Sequence, residues 1–226
     1  MNRSSREISP RVLRWTYAAK ADEVSLVLPD GCVDILVSCR GGTASVGVTD
    51  WDFAPRQVKL TAGTSLIGYR LQPGTTIRLD DLAIAGRDLS DLDAAIVDAA
   101  RHDREIAEII NALDLPGGGI ERLARQQGVS ERTLQRHFKS LSLPPPAFWR
   151  QLGRARRAVQ ALSSPTPLPD IALDYGYSDQ AHMTREFRRW FGRTPAQLRR
   201  TPAAMNDLAQ PGLGNWSDVL EPAGLS

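Results

Sequence analysis

Arg132, Arg136 and Arg185 have the type and spacing to read nucleic-acid bases. Arg132 and Arg136, with Gln135 between them, follow the turn-like triplet Gly128-Val129-Ser130. Arg185 follows Gly176-Tyr177-Ser178, with Ala181 one helical turn before it. A guanidinium can pair bidentately with O6 and N7 of guanine in the major groove, and a glutamine amide can pair with adenine. Ala181 offers only apolar contact, suited to a thymine methyl. Gln135 has two readings, adenine contact or phosphate cover. Lys139, Arg188, Arg189 and Arg193 are candidates for phosphate, which positions a protein on DNA without specifying sequence. Gln180 and His182 can also reach the DNA backbone, and a capping role fits His182 equally well.

The elements around these residues would present them together. Each stretch reads as a short helix, a tight turn and a longer helix. In the second, Met183, Phe187, Trp190 and Phe191 fall at i, i+4, i+7 and i+8, an apolar stripe opposite the arginines. In the first, Leu134, Phe138 and Leu141 do the same. Gly128 and Gly176 suit a sharp turn, and Ser130 and Ser178 are expected N-caps. Gly192 ends the last stripe, and Thr194-Pro195 starts another helix. The units align with one another. Leu134 matches Met183, Phe138 matches Phe187, Arg136 matches Arg185 and Arg132 matches Ala181, at an offset of 49 against 48 at the turn. Between them Pro144-Pro145-Pro146 starts a long helix over 147–162, with Phe148, Leu152, Ala155, Val159 and Leu162 inward. The connector 163–169 comes next, and Ile171-Ala172 opens the second unit. Two reading heads on one rigid helix are expected.

Upstream, the pattern is β. Short runs at 24–28, 32–38, 43–48, 57–60, 64–71 and 75–79 are separated by Gly and Pro, which predicts a small antiparallel sheet or barrel. Residues 1–23 read as an edge strand and loop. Leu82 to Asp93 reads as a loop or short helix. From Asp91 to Leu113, Ile96, Ala100, Ile106, Ile109 and Leu113 give a helical face, broken near Arg101-His102-Asp103. The expected organisation is α+β in two domains. A β-rich sensor or dimerisation domain spans 1–88. A helical linker spans 89–119, and its later part packs with the second domain. That domain, an all-α double helix-turn-helix, spans 120–202, and a poorly ordered tail covers 203–226.

Charge separates these regions. Residues 120–200 hold 15 Lys/Arg against 6 Asp/Glu, whereas 1–119 hold 13 against 17 and the last 26 hold three acids and no Lys or Arg. The basic segment suits a polyanion, because each cation near a phosphate releases condensed counterions. No apolar run approaches the ~20 residues that span a bilayer, and the N-terminal stretch has no apolar signal-peptide core. With only Cys32 and Cys39, the cytoplasm and reduced thiols are expected. Cys32 suits a small core position and Cys39 a strand end, with a redox sensor as the alternative; no CxxC suggests zinc. Asp30 and Asp34 invite comparison with paired acid–base carboxylates. Asp30 better suits the Pro29-Asp30-Gly31 turn, and Asp34, the odd polar residue in CVDILV, suits an arginine such as Arg70. No Ser/His/Asp grouping, phosphate-binding glycine loop or metal cluster occurs, so neither an enzyme nor a cofactor is expected.

Over roughly 105–200 the chain resembles the AraC/XylS-type transcriptional regulators. Ile171-Ala172, Gly176-Tyr177, Phe187, Gly192-Arg193-Thr194-Pro195 and Arg199 look like that family's signature, with Met183 where the family often has Phe. Upstream, VLPDGCVDILV and LIGYRLQPG resemble, more loosely, a cupin-like sensor domain found in some of these regulators. The resemblance implies double-stranded DNA as partner, with RNA polymerase, a small-molecule effector and a second copy of the chain as further candidates. If the front half binds an effector, Trp51, Tyr69 and Arg70 are candidate pocket residues, although core packing is the simpler role for Trp51 and Tyr69. The rival readings are a small-molecule enzyme with a helical DNA-binding tether and a non-specific architectural DNA binder.

Overall fold

Strand β7 (Ser65–Leu71) is the centre of the front half, paired antiparallel with β2 (Val12–Ala18) on one side and β4 (Val33–Arg40) on the other. The computed structural model describes residues 4–77, 89–116 and 119–216. β1 (Ser4–Ser9) and β5 (Thr43–Val48) form the edges, giving the order β1-β2-β7-β4-β5. β3 (Glu23–Val27) and β6 (Arg56–Leu60) pair separately as a ribbon. The front half is thus an open antiparallel sheet with a separate two-stranded ribbon. Residues 1–23 contribute more than the expected edge strand, since β2 lies inside the sheet. Val12 and Leu13 are both buried, so this strand is covered on both faces and lacks simple polar alternation.

The pleat separates two environments. On one face Tyr69 and Leu71 pack with Val12 and Ile35 and with Leu92 and Ile96 of helix α1 (Leu89–Ala99). On the other, Arg70 lies in a row between Leu13 and Asp34, and Gly68 between Trp15 and Leu36. A Cβ on Gly68 would stand 2.0 Å from the Trp15 ring, so only glycine lets the indole cross the strand. The indole nitrogen then donates to Asp34 Oδ1 at 2.8 Å.

The break expected near 101–103 is a two-residue strand, β9 (Arg101–His102), paired with β8 (Thr75–Thr76). Asp103 then caps α2 (Arg104–Asp114), accepting from the Ile106 amide at 3.0 Å. The expected strand residues 78–79, and the stretch from Leu82 up to the start of α1, lie outside the described residues. The remaining helices are α3 (Ile120–Gln126), α4 (Glu131–Ser140), α5 (Pro146–Ala161), α6 (Leu168–Asp174), α7 (Gln180–Phe191), α8 (Pro195–Arg199) and α9 (Pro202–Leu208). α6 starts before Ile171 because Pro169 is accommodated in a first helical turn, where no N–H is needed. Residues of α2 through α9 share one core in which Trp149, Phe138, Phe187 and Trp190 are fully buried.

The expectation of a poorly ordered tail does not hold for residues 203–216. Leu208, Leu213 and Trp216 are buried, and the chain beyond α9 packs back onto both halves. Its Pro, Gly and acidic content suggested disorder, but three spaced apolar side chains and buried arginine donors from elsewhere in the fold hold it. Residues 217–226 lie outside the described range.

Candidate nucleic-acid interface

Helices α4 and α7 both follow tight turns on left-handed glycines, Gly128 at φ 66° and Gly176 at φ 73°. Ser130 caps α4, accepting from the Thr133 amide at 3.1 Å. At the second turn the cap is Asp179, not Ser178, and it accepts from the His182 amide at 2.6 Å. That backbone hydrogen bond holds the Asp179 carboxyl below its ordinary pKa. Ser178 is displaced by one residue and its hydroxyl lies 3.2 Å from His182 Nδ1. The extra residue in the second unit accounts for the shift. Gly192, at φ 67°, ends α7, and Thr194 with Gln197 forms a capping box on α8. The family-signature Arg199 donates to the carbonyls of Leu162 and Thr166, closing the connector between α5 and α6.

The stripes divide as their spacing predicts. Leu134 and Phe138 of α4, and Met183, Phe187, Trp190 and Phe191 of α7, are buried. Leu141, expected inward, is 39% exposed because α4 ends at Ser140. Arg132, Gln135, Arg136 and Lys139 are exposed on α4, and Gln180, Ala181, Arg185 and Arg188 on α7. Arg193 is half-buried beyond the helix end. Two candidates also make contacts within the chain. Arg189 donates to Gln151 Oε1 of α5 at 3.0 Å and lies over the Trp190 ring. The His182 ring, besides its Ser178 contact, stands edge-on to Tyr177 with Nε2 3.7 Å from Glu186. These contacts favour the capping reading of His182.

One residue that holds the second turn in place escaped sequence reasoning. Arg154 of α5 donates to the Gly176 carbonyl at 3.0 Å, pairs with Glu186 at 2.9 Å and lies 4.4 Å from the centre of the Tyr177 ring. Burial and the Glu186 charge raise the pKa of the Tyr177 phenol. This network joins α5 to both the turn and helix α7 of the second unit. Its only linear signal is Tyr177, an aromatic in a turn, which calls for a neighbour to cover it.

Residues 123–201 match the family model described as a helix-turn-helix domain. The regulatory protein SoxS of Escherichia coli (strain K12) is 36% identical over 95 residues, 42% of this chain and 88% of SoxS. The chain belongs to the AraC/XylS-type family of transcriptional regulators. The ornithine utilization regulator of Pseudomonas aeruginosa is 36% identical over 84 residues, 37% of this chain and 24% of that protein. The virulence regulon transcriptional activator VirF of Yersinia enterocolitica is 28% identical over 136 residues, 58% of this chain and 50% of VirF. This AraC-type chain thus matches a quarter of the one and half of the other. Among its described residues, no helix is long and apolar enough to cross a membrane.

The three candidate effector-pocket residues do not come together. A cavity of about 360 Å³ lies between the ribbon and the sheet, and of the three only Arg70 lines it. Tyr69 is on the opposite face of β7, its hydroxyl 2.7 Å from Asp93; burial and that carboxylate raise its pKa. Trp51 packs edge-on against Trp149 of α5, with ring centres 5.3 Å apart. Residues adjacent in a strand face opposite ways, and Trp51 lies on a loop that reaches the helical half. The cavity-facing residues missed from sequence include Trp15, Ser25, Arg56 and Arg156. Arg70 pairs with Asp34, as expected, at 3.1 Å and also with Asp30 at 2.9 Å. Burial opposes the Arg70 charge, but the two carboxylates outweigh it and raise its pKa. Burial also raises the Asp30 carboxyl, against the pull of Arg70. The buried Cys32 thiol is pushed well up by burial and by Asp30, which suits a core residue and not a reactive one.

Proposed function

We propose that this AraC-type chain reads specific double-stranded DNA by placing α4 and α7 in two successive major grooves. The observation that carries the reading is the pair of exposed arginine faces on helices whose buried faces share one core with α5. Two heads on one rigid helix suit grooves about one helical turn, ~34 Å, apart on one face of the duplex. Arg136 and Arg185 are the principal base readers, supported by Arg132 and Gln135, with Ala181 against a thymine methyl. Lys139, Gln180, Arg188 and Arg193 hold phosphates. The basic segment captures DNA electrostatically before the bases are read. The cavity beside Arg70 is the place in the front half for a small-molecule effector.

Selection of bound duplexes from a random pool, using the full chain, tests this reading. A motif in two blocks about one turn apart is expected. Arg136→Ala and Arg185→Ala should each cost about 1–3 kcal/mol and relax preference at one position within a different block. Equal affinity for random and selected duplexes would replace specific reading with architectural binding.

A further inference from the structure

The segment after α9, residues 209–216, lies in a groove with the β-sheet on one side and α5 on the other. From the sheet side, Arg70 Nη1 donates to the Pro211 carbonyl at 3.0 Å. The Asp30 carbonyl accepts from the Leu213 amide at 2.8 Å, and the Pro10 carbonyl from the Trp216 indole at 3.1 Å. Trp216 packs with Leu13 and Cys32. From the helix side, Arg156 Nε donates to the Leu213 carbonyl at 2.8 Å, and Nη2 to Gln210 and to Asn215 Oδ1 at 2.9 and 3.0 Å. Leu213 belongs to the helical core. Asn215 shapes the segment, donating to the carbonyls of Ala209 and Gln210 while accepting from the Gly212 amide.

Two buried guanidiniums, one from each half of the chain, therefore end on the same eight-residue segment. Arg156 donates to three oxygens that carry no formal charge, and burial lowers its pKa. Withdrawal of the segment would strip acceptors from both arginines at once, and buried donors without acceptors are costly. Asp207, on α9, and Gln210 also line the cavity with Arg70 and Arg156. We propose that residues 209–216 are an intramolecular latch, docked as a peptide in the groove between sheet and connector helix. Its seating couples the cavity to α5 and so to both reading heads. An occupant that changes the contacts of Arg70 or Arg156 changes the seating of the latch. The reverse holds by linkage. The latch itself does not depend on which DNA is read.

Gly212 provides a steric test. A Cβ there would lie 2.7 Å from the Asp30 carbonyl oxygen and 3.0 Å from Arg156 Nη2, in a backbone conformation open to ordinary residues. Gly47, with nothing within 4 Å of its Cβ position, is the control. Hydrogen exchange of the 226-residue chain is compared for wild type, Gly212→Val and Gly47→Val. Gly212→Val should speed exchange about tenfold at the Leu213 amide and in peptides covering 30–34 and 149–156, while peptides from α7 keep their protection. Gly47→Val should match wild type in all of these. Indistinguishable exchange in Gly212→Val and Gly47→Val would overturn the latch. If Gly212→Val does not yield folded protein, Asn215→Ala decides by the same peptides: faster exchange there supports the latch, and wild-type exchange overturns it.

Discussion

Arg154 of α5 and Glu186 of α7 form an ion pair at 2.9 Å with side chains only 15% and 13% exposed. No equivalent acid stands in the first head, where the position aligned with Glu186 is the exposed His137. Helix α7 is thus fastened to α5 by charge as well as by packing. Arg154→Ala leaves a largely buried carboxylate with only the His182 ring, 3.7 Å away, beside it, and a stability loss of about 3 kcal/mol is expected. Arg154→Lys should recover part of it, because the ammonium keeps the charge but loses the planar fork. Urea titrations would measure both. On DNA, Arg154→Ala should weaken preference in the block read by α7 more than in the block read by α4. Equal losses in the two blocks would reduce Arg154 to a general stabiliser.

Lys139 is exposed on α4 one turn beyond Arg136. As a phosphate contact it positions without specifying. Lys139→Ala should weaken all duplexes alike and reduce the slope of log affinity against log salt by about one. A change in the selected motif would instead make Lys139 a base reader.

Gly68 and Trp15 occupy one row of the sheet. Gly68→Ala drives a methyl into the indole and displaces its hydrogen bond to Asp34. Thermal melting should show a loss of about 1–3 kcal/mol, the usual cost of overpacking. Gly47→Ala, on an open part of β5, serves as the comparison.

His102, half-buried in β9, is 2.9 Å from the Thr75 hydroxyl. Burial, with help from Arg11, lowers its pKa from 6.5. Below about pH 6.5 the unfolded chain therefore binds more protons than the folded one, so stability falls as pH drops through the folded value. Urea midpoints measured from about pH 7.5 down to about pH 5.5 should decline, and His102→Asn should flatten the decline. An unchanged slope in His102→Asn would assign the acid sensitivity to another group.

The helical half was legible because its information is local. A glycine that tolerates φ > 0, a capping side chain and apolar residues three and four apart state a turn, a start and a buried face within a dozen residues. The alignment of Leu134 and Phe138 with Met183 and Phe187 then identified two units without any long-range contact. The local code is ambiguous at the second cap. Ser178 and Asp179 are both good caps, and the structure uses Asp179 because the second turn is one residue longer.

The sequence by itself determined the double helix-turn-helix, the arginines on its outer faces and the β-rich character of the front half, because each arises from periodicity and side-chain chemistry along a short stretch. Only the tertiary structure decided which side chains share a space. Pairing put the Asp34–Arg70 pair, itself expected from the sequence, on the cavity face and turned Tyr69 to the other side. Folding across more than a hundred residues brought Arg70 to the same C-terminal segment as Arg156, and packing of α7 on α5 gave Arg154 its partners at the second head. Such contacts join residues far apart in the chain, and no spacing along the sequence encodes them.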